Sequence, residues 1–245
     1  MNLGLESHAA LVTGGASGIG AAIAVALARE GCDVAIVDRR NGGPVDAVAS
    51  LGRRGLVYAA DVRDAAAAAG AVEDTVSAFG RLDILVCSAG VTADSAIWKM
   101  TERQWDEVIA VNLKGVFNYN QAAARVFKER KGGKIVNLSS INGMRGKFGQ
   151  SNYAASKGGV IALSKSLARE LGRFNVNVNV IAPGMVATDM TRRLPPDVIE
   201  AARAETLLGR IASPEDCAEL AVFLCSERAR HITGEVIQVD GGQYL

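Results

Sequence analysis

The chain has 245 residues, 27 Lys and Arg against 26 Asp and Glu, a formal net charge of +1, and 49% hydrophobic against 22% charged residues. Such a chain can close over a single core and is too apolar to stay disordered, and its balanced charge offers no basic field for nucleic acid or an anionic membrane. The longest apolar stretch, Ile19 to Ala28, stops at Arg29 and Glu30, well short of the ~20 residues a membrane helix requires.

Glycine (27) and alanine (40) dominate while aromatics make up 5%, so backbones are expected to pack closely. Met1 to His8 carries Glu6 and no basic cluster ahead of an apolar core, which predicts neither a signal nor a transit peptide and a cytoplasmic protein. Cys32, Cys87, Cys217 and Cys225 are scattered without a C-x-x-C pair, and His8 and His231 are isolated. Reduced, buried thiols are expected, and no metal site.

In chain order, short β-branched runs alternate with Ala-rich stretches of helical period. Strand Ala9–Thr13 leads to a helix over Ile19–Glu30, Asp33–Val37 to one over Pro44–Leu51, and Leu56–Ala60 to one over Ala65–Phe79. Ile84–Cys87 then precedes a long helix over Thr101–Lys128, and Lys134–Leu138 one over Asn152–Leu171. Val176–Ile181 and Val236–Val239 flank a helix over Pro214–Leu224, whose start is marked by Ser213-Pro214-Glu215-Asp216. Gly31 and Gly80 sit where helices must stop. Most strands lack polar alternation, as strands buried on both faces do. The pattern predicts an α/β fold, a Rossmann-like doubly wound parallel sheet of about seven strands with helices on both faces.

No repeat, Pro-rich linker or long charge run divides the chain, so 1–245 is expected to be one domain. Thr188 to Arg210, with Pro195-Pro196 and mixed charges, breaks the rhythm. It reads equally as a mobile flap over a site and as a surface helical excursion.

The first strand runs into Thr13-Gly14-Gly15-Ala16-Ser17-Gly18-Ile19-Gly20 and then a helix. Glycines there let a phosphate approach backbone N–H groups at a helix N-terminus. A glycine cluster alone is weak evidence, but strand, turn, helix and a later acid together strengthen it. That acid, Asp38, is placed to accept hydrogen bonds from adenosine ribose hydroxyls, its alternative being a polar cap on the second strand. A carboxylate there repels the extra phosphate of NADP while Arg39 and Arg40 attract it, and NAD is the expected cofactor. Asp61, with Val62 beside it, is placed to reach adenine or simply to start a helix. Ser88, Ala89 and Gly90 after the fourth strand are small enough for a nucleotide to lie against them.

Tyr153 and Lys157 are four positions apart in a predicted helix and share one face. An ammonium, joined by the positive ring of an oxidised nicotinamide, is expected to lower the phenol pKa and let Tyr153 exchange a proton near neutrality. Ser140 ends a strand at the same sheet edge and is placed to bind a carbonyl oxygen. Asn112 inside a long helix can hold a water or be merely structural.

With these residues in view, the chain resembles a short-chain dehydrogenase/reductase, similar over nearly its whole length to the 3-oxoacyl reductase branch. The resemblance rests on Thr-Gly-x-x-x-Gly-x-Gly at Thr13, Asn112, Ser140 and Tyr-x-x-x-Lys at Tyr153. Asn152 to Lys157, Pro183-Gly184 with Thr188, and the ending Ile232-Thr233-Gly234 to Asp240-Gly241-Gly242 add to it. It implies that Tyr153 is the acid/base, Ser140 orients the carbonyl, Lys157 binds the nicotinamide ribose and Asn112 completes a relay through water. It also implies that Ile181 to Gly184 and Val186 line the nicotinamide, with Thr188 near its carboxamide, and that a homotetramer packs through the two long helices. One departure is Cys87-Ser88-Ala89-Gly90, where the family usually has Asn-Asn-Ala-Gly; it puts at issue the polar bonding that steadies the sheet centre.

The expected reaction is hydride exchange between the cofactor and a ketone or secondary alcohol, foremost a 3-oxoacyl or 3-hydroxyacyl thioester of coenzyme A or acyl carrier protein. The alternatives are a catabolic NAD-dependent alcohol dehydrogenase and a catalytically silent NAD(H)-binding regulator. Candidate substrate residues are Thr92, Ile141, Met144, Phe148, Gln150 and Met185. Lys128, Arg130, Lys131, Lys134, Arg169 and Arg173 either greet the phosphates of a thioester carrier or form a solvated basic rim.

Overall fold

A computed structural model describes residues 3–245. Seven parallel strands form one sheet in the order β3-β2-β1-β4-β5-β6-β7. They are β1 (Ala9–Thr13), β2 (Asp33–Asp38), β3 (Gly55–Ala59), β4 (Ile84–Cys87), β5 (Gly133–Leu138), β6 (Val176–Pro183) and β7 (Val236–Val239). The helices are α1 (Gly18–Arg29), α2 (Val45–Ser50), α3 (Ala65–Phe79), α4 (Glu102–Ile109), α5 (Gly115–Arg130), α6 (Asn142–Arg145), α7 (Ser151–Leu171), α8 (Pro196–Glu205) and α9 (Pro214–Cys225). Among the described residues no helix is long and apolar enough to cross a membrane.

Because successive strand residues face opposite sides, β1 sends Ala10 and Val12 to one layer and Ala9 and Leu11 to the other. On the first side Ile23 and Leu27 of α1 meet Val222 and Leu224 of α9. On the second, Val72 of α3, Tyr119 and Phe127 of α5 and Val160 of α7 cover Leu11, Leu85 and Ile135. Both faces are thus buried, as the unbroken apolar strands require. Chain order reverses between β1 and β4, and open sheets of this kind bind ligands beyond the carboxyl ends at that switch.

The predicted strands all form, most shifted by one or two residues at an end. The predicted helix over Thr101–Lys128 is not continuous: between α4 and α5 the chain widens into a π-helical turn over Ala110–Lys114. Asn112 sits in that turn with its side chain fully buried, and π turns inside α-helices are frequent at functional positions. The helix start at Ser213 has a full capping box with Asp216, and Gly80 ends α3 in the left-handed conformation at φ 77°. Thr188 to Arg210 holds a 3-10 turn over Thr191–Arg193 and the helix α8. Helix α6, four residues long, was not expected, and α8 lies in the segment for which a helical excursion was one of two readings.

The basic residues proposed to greet a carrier lie at the other end of the sheet. Arg130 pairs with Asp83 just before β4 at 2.9 Å, and Lys134 at the start of β5 donates to Asn177 at 2.8 Å. Lys128 and Arg173 sit over the Phe174 ring at 5.8 and 4.8 Å. This group faces away from the carboxyl edge where the site residues gather.

Candidate active site

At the carboxyl edge one cleft of about 660 Å³ runs from β2 and β3 across to α7. Gly14, Ser17, Gly18, Ile19, Asp38, Arg39, Asp61 and Val62 line one end, and Ser88, Ala89, Gly90, Thr92, Tyr153, Lys157, Pro183 and Thr188 the rest. Asn112, Ser140, Gly20, Gly184 and Val186 stand behind this wall. Ile141, Met144, Phe148, Gln150 and Met185 lie outside the cleft lining; Ile141 and Gln150 are buried, whereas Met144 and Phe148 are exposed.

The turn after β1 depends on two glycines. Gly14 has φ +65°, and a Cβ there would lie 2.7 Å from the backbone of Ala89; a Cβ on Gly20 would collide with the Gly14 carbonyl. The loop therefore lies flat against the end of β4, and α1 starts directly beneath it. Gly90 opens the same wall further along, since a Cβ there would reach within 3.5 Å of both Lys157 Nζ and Asn112 Oδ1.

Asp38 ends β2 inside the cleft. Its carboxylate accepts from Ala16 N at 3.3 Å and Arg40 N at 3.1 Å, and the Arg40 guanidinium stands 3.7 Å away while donating to Ser17 Oγ at 2.5 Å. Asp61 is more committed. Arg63 Nε reaches both of its oxygens at 3.0 Å and Nη2 one of them at 2.6 Å, which holds the carboxyl below its ordinary value. The helix start that Asp61 was an alternative for falls to Asp64, which caps α3, while Asp61 stays on the cleft lining.

The altered segment at Cys87 is steadied by other atoms. Thr13 Oγ1 accepts from Ser88 N at 3.2 Å and Ala89 N at 3.5 Å. Buried Asn120 donates to Cys87 Sγ at 3.5 Å and to Asn137 Oδ1 at 2.9 Å, and Asn137 continues to Ser164 at 3.0 Å. A polar column thus crosses the sheet centre without the usual asparagines.

Tyr153 and Lys157 face the cleft from the first two turns of α7, with Lys157 Nζ 5.8 Å from the tyrosine ring centre. The start of α7 is pinned by Asn152, whose Nδ2 donates to the carbonyls of Ala93 at 2.9 Å and Gln104 at 3.0 Å. Lys157 Nζ donates to Leu138 O at 2.8 Å, and Ser139 Oγ donates to Lys157 O at 2.8 Å. Ser140 Oγ accepts from Asn142 N at 3.1 Å.

One expectation is corrected here. The phenol of Tyr153 is not lowered: burial pushes it up to about 12, against a hydrogen bond with Ser140 that lowers it, and the Asp94 carboxylate raises it further. Burial also lowers the Lys157 ammonium to about 8. Loss of hydration outweighs the hydrogen bond from Ser140, so the free protein holds Tyr153 protonated. The Asn112 amide is also held by protein. Its Oδ1 accepts from Val91 N at 2.8 Å, and its Nδ2 donates to Val91 O at 3.0 Å and Ser156 Oγ at 3.1 Å. Ser156 Oγ donates to Tyr153 O at 2.7 Å, so Asn112 clamps the loop after β4 to the tyrosine turn.

Sequence reasoning missed Val91, Ser139, Asn152, Arg193 and the loop of Asp94. Ser139 and Asn152 adjoin residues singled out, and spacing could have flagged them. Arg193 lines the cleft from the 3-10 turn, where no motif pointed.

The geometry agrees with comparisons to known proteins. A family model described as enoyl-(acyl carrier protein) reductase matches residues 14–243. The 3-oxoacyl-(acyl-carrier-protein) reductase FabG of Staphylococcus aureus is 41% identical over 243 residues, covering 98% of this chain and 99% of that protein. The (3R)-3-hydroxyacyl-CoA dehydrogenase of Mus musculus is 43% identical over 255 residues, covering 99% and 98%. A crystal structure of a Sinorhizobium meliloti 1021 protein described as a short-chain alcohol dehydrogenase superposes with a TM-score of 0.92 at 37% identity, over 99% of this chain and 98% of that one. With the glycine turn and the Tyr153–Lys157 pair on one cleft and Ser140 bonded to Tyr153, the chain belongs to the short-chain dehydrogenase/reductase family, oxidoreductases acting on CH–OH and C=O groups with a nicotinamide cofactor.

Proposed function

We propose that the protein interconverts a 3-oxoacyl and a 3-hydroxyacyl thioester, on coenzyme A or acyl carrier protein, with NAD(H). The observation that carries the reading is that Tyr153 and Lys157 face one cleft, with Lys157 Nζ 5.8 Å from the tyrosine ring centre and Ser140 bonded to Tyr153. A bound nicotinamide cofactor supplies or accepts the hydride. Ser140 holds the substrate oxygen, Tyr153 gives it a proton in reduction and takes one back in oxidation, and Lys157 stabilises the phenolate left behind. The names of the 3-oxoacyl reductase and 3-hydroxyacyl dehydrogenase relatives support the substrate class.

The residues fit a dinucleotide. The flat glycine turn frees backbone N–H groups for a diphosphate, and Gly90 leaves Lys157 reachable from the cleft. NAD is favoured because Asp38 occupies the ribose end while Arg40 is already engaged by Asp38 and Ser17. A homotetramer through α5 and α7 is supported by exposed Phe117 on α5, and a reducing, cytoplasmic setting by four buried free cysteines.

A second reading, a dehydrogenase of simple secondary alcohols, is favoured by the basic cluster lying at the opposite sheet edge, far from the phosphates of a carrier. The test is a panel of acetoacetyl-CoA, acyl-carrier thioesters and plain ketones and alcohols with all four nicotinamide forms. Turnover of acetoacetyl-CoA with NADH is expected; inert thioesters beside an active alcohol would overturn the first reading in favour of the second.

A further inference from the structure

The end of the chain folds back over the loop that follows β6, and one residue there joins three separate segments. Gln243 Oε1 accepts from Met185 N at 3.1 Å, and Gln243 Nε2 donates to Glu205 Oε2 at 3.0 Å, at the end of α8. Its carbonyl accepts from Arg145 Nη1 at 3.3 Å, in α6. Arg145 Nη2 also donates to Glu205 Oε2, at 3.2 Å, which closes a triangle. From Arg145 the bonds lead back to the site, since Arg145 Nε donates to Asn142 Oδ1 at 3.2 Å and Asn142 N donates to Ser140 Oγ at 3.1 Å.

The loop is shaped for this contact. A Cβ on Gly184 would stand 2.5 Å from Gln243 Oε1 and 2.9 Å from Asp240 Cβ. Glycine at 184 therefore admits the C-terminal segment against the Pro183–Val186 loop. Asp240 fixes the segment in turn, accepting from Gly242 N at 3.0 Å and Tyr244 N at 2.9 Å. The hydrogen bond from Gln243 and the charge of Arg145 hold the Glu205 carboxyl below its ordinary range, so it is ionised and acceptor-only at neutral pH.

We infer that Gln243 is a positioning residue that couples the Pro183–Val186 loop to the flap helix α8, so that occupation of the nicotinamide end and closure of the flap are one event. The inference rests on the proposed function, which sets that loop against the nicotinamide. Gln243 suits the task because its amide presents an acceptor to a backbone N–H and a donor to a carboxylate at once. No other uncharged side chain of that reach does both.

The test uses the full-length protein and its Q243M, Q243E, E205Q and Q243E/E205Q variants. NADH affinity is read by nicotinamide fluorescence, and flap order by trypsin cleavage at Arg192, Arg193 and Arg203 with and without NADH. In the wild type, NADH is expected to protect the flap. Q243M is expected to abolish protection and weaken NADH binding roughly tenfold, the effect of about one lost hydrogen bond, with an unchanged melting temperature. Q243E places two carboxylates against each other and is expected to behave as badly. Q243E/E205Q restores an acceptor facing Met185 and a donor facing residue 243, and is expected to recover protection, an outcome that also holds the test open if Q243M folds poorly. NADH binding and flap protection equal to wild type in Q243M, or no recovery in the double variant, would overturn the coupling. A wild type that binds neither NADH nor NADPH would overturn the proposed function, and the inference with it.

Discussion

The two ends of the cleft are held by different means. At the nucleotide end the shape comes from backbone: a glycine turn flat against Ala89, Thr13 bonded to the amides of residues 88 and 89, and strand ends at fixed register. At the substrate end it comes from side chains of segments distant in the chain, Gln150 donating to Asp94 at 2.8 Å, Asn142 to Gln150 at 3.0 Å, and Arg145 to Glu205. The rim beyond them is apolar and open, with Trp98 and Phe148 packed edge to face at 6.2 Å and 72% and 82% exposed. A backbone-built site serves any ligand with a diphosphate, whereas a side-chain-built rim can change its ligand by substitution.

Between the ends stands Tyr153, and replacing it tests the contrast most severely. Y153F is expected to lower kcat by roughly 10²- to 10⁴-fold, the range of a lost general acid, while leaving the NADH dissociation constant within twofold. Steady-state kinetics beside fluorescence titration check both halves. Equal losses in both would mean that the two ends are not separable.

Asn112 joins the ends from behind. N112A removes the partners of Val91 N and Val91 O, and an unsatisfied buried group costs about 1–3 kcal/mol, so chemical denaturation is expected to show a loss of that order together with reduced turnover. A variant as stable as wild type would remove Asn112 from the frame. D38A acts at the nucleotide end alone: NAD(H) affinity should fall roughly tenfold, by about 1.4 kcal/mol, and NADP(H) should gain relative to it. Unaltered discrimination would transfer cofactor choice to Arg39 and Arg40.

The smallest expected effect is in stability against pH. Lys157 titrates at about 8 in the folded protein against an ordinary 10.5, so between these values the unfolded chain binds more protons and the folded state gains stability as pH rises. Below pH 8 the buried ammonium is a burden. K157M should therefore be more stable than wild type below pH 8, and its advantage should shrink towards pH 10.5. Parallel curves would show that the ammonium is better hydrated than its burial indicates.

The strands of the parallel sheet and the cleft residues from Gly14 to Gly90 were legible because the signals are local: a strand, a glycine turn, a helix, an acid at the next strand end. The pair at Tyr153 and Lys157 was legible through helical spacing. The π turn at Asn112 was not, since it arises where Asn112 bonds to Val91 and Ser156 across the structure. The direction of the Tyr153 shift was misread for the same reason, because burial belongs to the folded environment and not to the sequence neighbourhood. Gln243, Glu205 and Arg145 could not be linked in advance, as their partners lie far apart in the chain and meet only when β6 delivers its loop beside the chain end.

The central claim is that a protonated Tyr153, set by Ser140 and Lys157, completes the reduction of a 3-oxoacyl thioester. Its most direct test is kcat/KM for acetoacetyl-CoA with NADH, wild type against Y153F, from pH 6 to 9. The account predicts wild-type turnover that is level from pH 6 to about 7, where phenol and ammonium are both protonated, and that falls through pH 8 to 9 as the Lys157 ammonium is lost, with a loss of roughly 10²-fold or more in Y153F at pH 6 to 7. Full turnover in Y153F, or none by the wild type with any thioester, would contradict it.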